Sequence, residues 1–207
     1  MNRINTVIFD FGGVLLDLDL SLTTKGFEAL GIPEWKNLYQ QQKQADFLDL
    51  FEKGLISEME FFERIKEISK KKLSDARIKN AWNAMLIDLP EHKTRLLEEL
   101  KTKKKLFLLS NTNSIHEKKF TEIIDDGYGT KNFYALFTKV YFSHRMKMRK
   151  PDVEIFLKVL EENSLIPQET LFLDDSPQHI SGARKAGINA ELIDAENTPE
   201  MVVRNYF

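Results

Sequence analysis

Five short β-forming runs, each handing over to polar residues, constrain this chain more than any other feature. They lie at 6–10, 106–110, 139–143, 170–174 and 189–193, and helical patterns at 91–101, 114–124, 151–162 and 177–186 fall between the later ones. Near-continuous apolar strands are buried on both faces, and strand–helix alternation packs them as a parallel sheet. The expected class is α/β: a Rossmann-like parallel sheet core covered by helices.

The stretch 20–88 has a different texture and is helical almost throughout. Ser57-Glu58-Met59-Glu60 is a capping box, and Phe61, Phe62, Ile65 and Ile68 then mark one apolar helix face. Ser74 suits the start of the next helix, with Ile78, Ala81, Trp82 and Met85 inward. Gly31-Ile32-Pro33 and Glu52-Lys53-Gly54 break the earlier helices. A helical block between the first strand and the remaining sheet is an inserted α-helical bundle cap. The expected domains are a core of residues 1–18 and 89–207 and a cap of residues 19–88. Pro90 is expected in the first turn of the helix that re-enters the core. Trp35, Phe47, Phe51 and Trp82, at helical spacing, are expected in the cap core rather than lining a pocket.

Composition removes several function classes. Lys and Arg number 30 against 32 Asp and Glu, so a net charge of −2 offers no field to recruit nucleic acid or an anionic membrane. The basic runs at 70–72 and 101–105 sit near helix C-termini, where the helix dipole favours cations. Absence of cysteine excludes disulfides, thiolate metal sites and a Cys nucleophile. The apolar run after Met1 is too short for a signal peptide or a spanning helix, and a cytoplasmic protein, monomeric or weakly dimeric, is expected.

Open parallel sheets bind ligands beyond the carboxyl ends of their strands, so the residues there are read jointly. The first run ends in Asp10-Phe11-Gly12-Gly13, the second in Ser110-Asn111-Thr112-Asn113. The third is followed by Arg149-Lys150-Pro151-Asp152, and the fourth ends in Asp174-Asp175-Ser176. Asp10, Asp174 and Asp175 offer oxygen ligands to a hard cation such as Mg²⁺. A hydroxyl from Ser110, exposed amides and the point charge of Lys150 suit a phosphoryl group. Asp10 is then free to act as nucleophile.

These motifs resemble the haloacid dehalogenase superfamily, in particular its phosphatases with a helical cap inserted after the first strand. Phe9-Asp10-Phe11-Gly12-Gly13-Val14, Leu109-Ser110-Asn111-Thr112-Asn113, Arg149-Lys150-Pro151-Asp152 and Phe172-Leu173-Asp174-Asp175-Ser176 carry the resemblance, with Gly182, Ala183 and Gly187 beyond them. It implies an Asp10 nucleophile with Lys150 as the cation that holds phosphate and Asp10 together, phosphate binding by Gly12, Ser110, Asn111 and Lys150, and a Mg²⁺ site from Asp10, Asp174, Asp175 and the Gly12 carbonyl. The implied substrate is a small phosphorylated metabolite.

Gly12 departs from the pattern. Most phosphatases of the family carry there an Asp that protonates the leaving oxygen and then activates water. A bacterial subgroup containing α-D-glucose-1-phosphate phosphatases also carries Gly, and the Ser110 and Lys150 segments resemble theirs. That favours a sugar 1-phosphate, whose anomeric oxygen leaves readily. Asn113 and His116 are candidates to contact substrate, His116 as a substitute acid or else as a helix-surface residue. Asp17 and Asp19 are expected at the hinge and at the cap of the first inserted helix. Lys147 stands where family members often carry Gly. The alternatives are a phosphometabolite-binding protein with little or no turnover and, with less support, a 2-haloacid dehalogenase.

Overall fold

The computed structural model describes residues 3–39 and 45–207. The expected helical stretch therefore lies outside the described residues at 40–44, as does the start of the core at 1–2. In chain order the elements are β1 (Thr6–Phe9), β2 (Asp17–Leu18), α1 (Leu20–Ala29), α2 (Trp35–Leu38), α3 (Asp46–Glu52), α4 (Glu58–Ser69), α5 (Asp75–Asn83) and β3 (Leu86–Asp88). They continue with α6 (Glu91–Lys101), β4 (Lys105–Ser110), α7 (Ser114–Gly127), α8 (Thr130–Tyr134), β5 (Lys139–Phe142) and α9 (Ser143–Met146). The chain ends with α10 (Val153–Glu162), a 3₁₀ turn (Pro167–Glu169), β6 (Thr170–Asp174), α11 (Pro177–Lys185), β7 (Asn189–Leu192) and α12 (Pro199–Tyr206).

β5-β4-β1-β6-β7 form one sheet, parallel at every pairing. Alternation along β1 sends Val7 and Phe9 to one face, with Leu97 and Leu100 of α6, Phe120 and Ile124 of α7, and Val202 and Val203 of α12. Ile8 goes to the other, with Ile155, Phe156 and Val159 of α10 and Ile180 and Ala183 of α11. Helices thus cover both faces, which is why the strands read as unbroken apolar runs.

Strand order reverses at β1: the chain leaves it for β4 on one side and later reaches β6 on the other. That switch point, just beyond Phe9, is where a ligand crevice is expected in such a sheet. Most boundaries shift by one to three residues from those expected, and three shifts bear on the site or on the return to the core. Ser143 opens α9 instead of ending β5. Pro90 is the N-cap of α6, not a residue of its first turn. The helix expected from Pro151 starts at Val153 with Asp152 as N-cap, after a cis Lys150–Pro151 peptide.

α1 to α5 build a second apolar core, in which Phe27, Trp35, Phe51, Phe61 and Trp82 are buried together and Phe47 packs against its edge. Phe27 stacks on Trp35 with centroids 3.5 Å apart, and Phe51 on Phe61 at 4.5 Å. These aromatics are packing residues, as their spacing implies. Ser57 and Glu60 complete the capping box, and Ser74 accepts from the Arg77 amide. The insert joins the core through the short antiparallel pair β2–β3, which contains Asp17, while Asp19 caps α1 by accepting from the Ser21 amide. No helix among the described residues is long and apolar enough to cross a membrane.

Candidate active site

Asp10 immediately follows β1 and its amide is held by the Leu173 carbonyl of β6 at 2.9 Å. The side chain is therefore delivered to the switch point by the strand pairing itself. Lys150 reaches it from the loop before α10: Nζ lies 2.7 Å from Asp10 Oδ1 and 2.6 Å from Asp174 Oδ2. Lys150 is fully buried. An ammonium so placed is tolerable only because two carboxylates face it.

The backbone of Lys150 is fixed as firmly as its side chain. Asn111 donates through Nδ2 to the Lys150 carbonyl at 2.8 Å and accepts from the Lys150 amide at 2.9 Å. Asp174 is also spent at its second oxygen, where Oδ1 accepts from the Ser176 amide and from His179 Nδ1, both at 2.8 Å. Ser110 is buried, and its hydroxyl makes a contact with the Asn111 carbonyl that is long, at 3.4 Å. That leaves the hydroxyl capable of turning to a better acceptor.

The charges balance unevenly. Burial, then the Asp174 carboxylate, raise Asp10 well above the ordinary carboxylate range, against the opposing pull of Lys150. Burial acts the same way on Asp174, but Lys150 and the His179 hydrogen bond outweigh it and bring Asp174 down to about 2. Burial would lower Lys150, yet Asp10 and Asp174 together raise it. Asp175 adds a further carboxylate whose charge also raises Asp10. Gly13, at φ +79°, leaves the room that Asp175 uses to approach the Asp10 loop, since a Cβ there would strike its carboxylate. The centre is thus an acidic, oxygen-rich cluster around one lysine, and that donor set fits a hard divalent cation. Ligand atoms of Asp10, Asp174 and His179 lie within 4.8 Å of one another. His179 Nδ1 donates to Asp174 and its Nε2 faces the Asn111 amide, so the ring is engaged on both sides and the fit is to oxygen donors.

Gly12 is not forced by backbone conformation. A Cβ on it would lie 2.7 Å from Leu18 Cδ1, so the space for a side chain at position 12 is filled by a leucine of β2.

Asn113 and His116 are not brought to the centre in an available form. Asn113 caps α7, its Oδ1 accepting from the amides of Ile115 and His116 at 3.1 and 3.0 Å and from Trp82 Nε1 at 3.3 Å. His116 is stacked on Trp82 with centroids 4.5 Å apart. Its Nε2 donates to the Trp82 carbonyl at 3.0 Å and its Nδ1 accepts from Asn113 Nδ2 at 3.2 Å. Burial pushes it down to about 4. Neither the surface histidine nor the substitute acid of the sequence reading is what the fold contains; the ring fastens the insert to the core.

Two residues at and beside the centre have no role assigned from the sequence. His179 is one; its only signal is its place one helical turn before Gly182. Arg149 is another, joined to Asp49 at 2.8 Å and Glu52 at 2.9 Å across from the insert. The Ser143 hydroxyl donates to the Glu52 carbonyl at 2.7 Å and accepts from the Thr112 amide at 2.9 Å. Lys147 adopts φ +60° and donates to the Gly54 carbonyl, so the left-handed turn is kept with a lysine. Tyr39 belongs to this rim: burial, then Glu52, raise its hydroxyl, and Asp175 contributes from the core side.

Comparison with known proteins agrees with this architecture. The profile of haloacid dehalogenase-like hydrolases matches residues 7–193. The D-ribitol-5-phosphate phosphatase of Bacteroides thetaiotaomicron is 27% identical over 196 residues, covering 94% of this chain and 93% of its own. A phosphorylated carbohydrates phosphatase of Thermotoga maritima is 28% identical over 189 residues, covering 88% and 81%. Among solved structures, a point mutant of a family enzyme from Bacteroides thetaiotaomicron, in complex with magnesium and inorganic phosphate, superposes with a TM-score of 0.90. It has 35% identity and covers 97% of this chain and 99% of that one.

Proposed function

The chain belongs to the haloacid dehalogenase-like hydrolase family, and we propose that it is a Mg²⁺-dependent phosphatase of small phosphorylated sugars or polyols, working through an aspartyl-phosphate on Asp10. The observation that carries this reading is the buried Asp10–Lys150–Asp174 centre at the carboxyl edge of the sheet. Its excess of carboxylates over cations favours metal-assisted phosphoryl transfer over metal-free dehalogenation. The similarity to phosphatases of ribitol 5-phosphate and of phosphorylated carbohydrates supports the substrate class.

In this reading Asp10 attacks phosphorus, the bond to the leaving oxygen breaks, and water later hydrolyses the acyl phosphate to regenerate the carboxylate. Lys150 holds Asp10 in line and meets charge on the phosphoryl oxygens with the Ser110 hydroxyl beside it, while the Asn111 side chain, spent on the Lys150 backbone, holds that lysine in place. Asp10, Asp175 and the Gly12 carbonyl would hold the cation, with Asp174 in support. Bound there, Mg²⁺ supplies positive charge that favours ionised Asp10 and neutralises the transferring group. With Gly12 in place and Leu18 filling the space beside it, position 12 delivers no proton to the leaving oxygen. Substrates whose leaving oxygen carries charge well, such as sugar 1-phosphates and acyl phosphates, lose least by this.

The test is Mg²⁺-dependent phosphate release from a panel holding ribitol 5-phosphate, a sugar 1-phosphate and acetyl phosphate. Asp10→Asn is expected to reduce release by more than about 10³-fold. Unchanged release in that variant refutes the mechanism, and tight phosphate binding without turnover on any substrate shows a binding protein instead. Combining Gly12→Asp with Leu18→Ala to make room is expected to raise the rate on ribitol 5-phosphate, within the ~10²–10⁴-fold span of general acid catalysis, and to change acetyl phosphate little.

A further inference from the structure

His179 completes a closed ring of interactions that returns to Lys150 from both directions. One path runs from Lys150 Nζ to Asp174 Oδ2 at 2.6 Å, and from Asp174 Oδ1 to His179 Nδ1 at 2.8 Å. The other runs from His179 Nε2 to Asn111 Nδ2 at 3.5 Å, and from Asn111 to the Lys150 carbonyl and amide at 2.8 and 2.9 Å. The donors agree around the circuit. Asn111 Oδ1 accepts the Lys150 amide, so its Nδ2 has two hydrogens, one for the Lys150 carbonyl and one directed at His179. His179 then accepts at Nε2 and donates at Nδ1, which is the neutral tautomer that Asp174 requires.

Helix geometry makes the placement deliberate. His179 is in the first turn of α11, and Gly182, three residues on, shares its face. A Cβ on Gly182 would collide with the Pro151 carbonyl. Only a helix bare at that position approaches the Lys150–Pro151 loop closely enough for the imidazole to span Asp174 and Asn111.

From this circuit we infer that His179 is a positioning residue, which orients the Asp174 carboxylate and the Asn111 amide so that Lys150 is held at both its backbone and its ammonium. The inference rests on the reading of Asp10, Lys150 and Asp174 as the phosphoryl-transfer centre. Without the imidazole, Asp174 Oδ1 keeps the Ser176 amide alone and the carboxylate is free to turn. Lys150 and the cation-holding face of the cluster then lose their common reference.

The experiment compares wild type, His179→Leu and His179→Asn, the last retaining a donor for Asp174. Mg²⁺ affinity is measured by calorimetry on folded protein, and kcat and KM on the substrate that wild type turns over best. His179→Leu is expected to weaken Mg²⁺ binding by about 10–100-fold, the usual cost of removing a partner behind a metal ligand. Its kcat should fall with KM little changed at saturating Mg²⁺, and His179→Asn should recover most of both. Wild-type affinity and kcat in His179→Leu, or no recovery in His179→Asn, overturns the inference. A crystal structure of His179→Leu decides it without metal or substrate. A rotated Asp174 or a displaced Lys150 supports the assignment, and an unmoved pair refutes it. If wild type binds no Mg²⁺ and releases no phosphate, the proposed function fails while that structural comparison still gives its answer.

Discussion

Arg149 and Lys150 are neighbours in sequence and hold their carboxylates in opposite regions of the molecule. Lys150 is fully buried between Asp10 and Asp174, both supplied by the carboxyl ends of core strands. Arg149 keeps 17% of its side chain exposed and grips Asp49 and Glu52, both from α3 of the insert. The same charge pattern therefore serves two purposes. Buried ions, once desolvated, are costly to separate, so the Lys150 centre is preorganised and stays assembled. Arg149 and Asp49 keep contact with water while Glu52 is buried, so the Arg149 contact fastens the insert and costs less to break than the Lys150 centre. The fastening has a second point, where Trp82, Asn113 and His116 interlock.

The difference is open to test by removing each cation in turn. Lys150→Met leaves two buried carboxylates facing each other, and a loss of about 3–5 kcal/mol in urea unfolding is expected, together with loss of phosphate release. A smaller loss than that of Arg149→Met reverses the comparison.

His116 sets the next largest effect, and it is one of pH. Its folded-state pKa, about 4, lies below the ordinary value of 6.5, so between those limits the unfolded chain binds a proton that the fold does not. Stability from this group is therefore complete above about pH 6.5 and is lost as pH falls towards 4, by on the order of 3 kcal/mol. The difference in unfolding free energy between wild type and His116→Gln should carry that slope, because other titrating groups cancel. A flat difference between pH 7 and pH 4.5 argues that the imidazole is solvated.

Arg149→Met should cost roughly 2 kcal/mol, between the buried and exposed limits, and should leave phosphate release measurable at high substrate concentration. Complete inactivation would show that the two cations form one unit. Least affected should be Lys118→Ala, which breaks an exposed pair with Glu58 between α4 and α7. A change of about 0.5 kcal/mol or less is expected in the same urea titration.

Much of this comparison was legible in the chain because it depends on local pattern. Apolar runs buried on both faces revealed the sheet, and the capping box at Ser57 and the caps at Asp19 and Ser74 emerged where their residue types imply. Asp10 and Asp174 were readable because each sits at a strand end and the strand ends of a parallel sheet share one edge, and Lys150 because it lies in the loop that follows β5 and the short α9. His116 departs from its expected surface place because nothing in a helical pattern reveals that a tryptophan 34 residues earlier will cover the ring and accept its hydrogen bond. Arg149 has no role legible in its motif, since its carboxylate partners come from an inserted element 100 and 97 residues away.

By itself, then, the sequence determined an α/β core, a helical insert, a carboxylate at the end of the first strand and the absence of an acid at position 12. Those follow from residue identity and short-range periodicity. Tertiary structure alone decided that Leu18 fills the space beside Gly12, that His179 joins Asp174 to Asn111, and that consecutive cations divide between core and insert. Each of these depends on which distant side chains the packing brings within bonding distance, and on how much water it leaves between them.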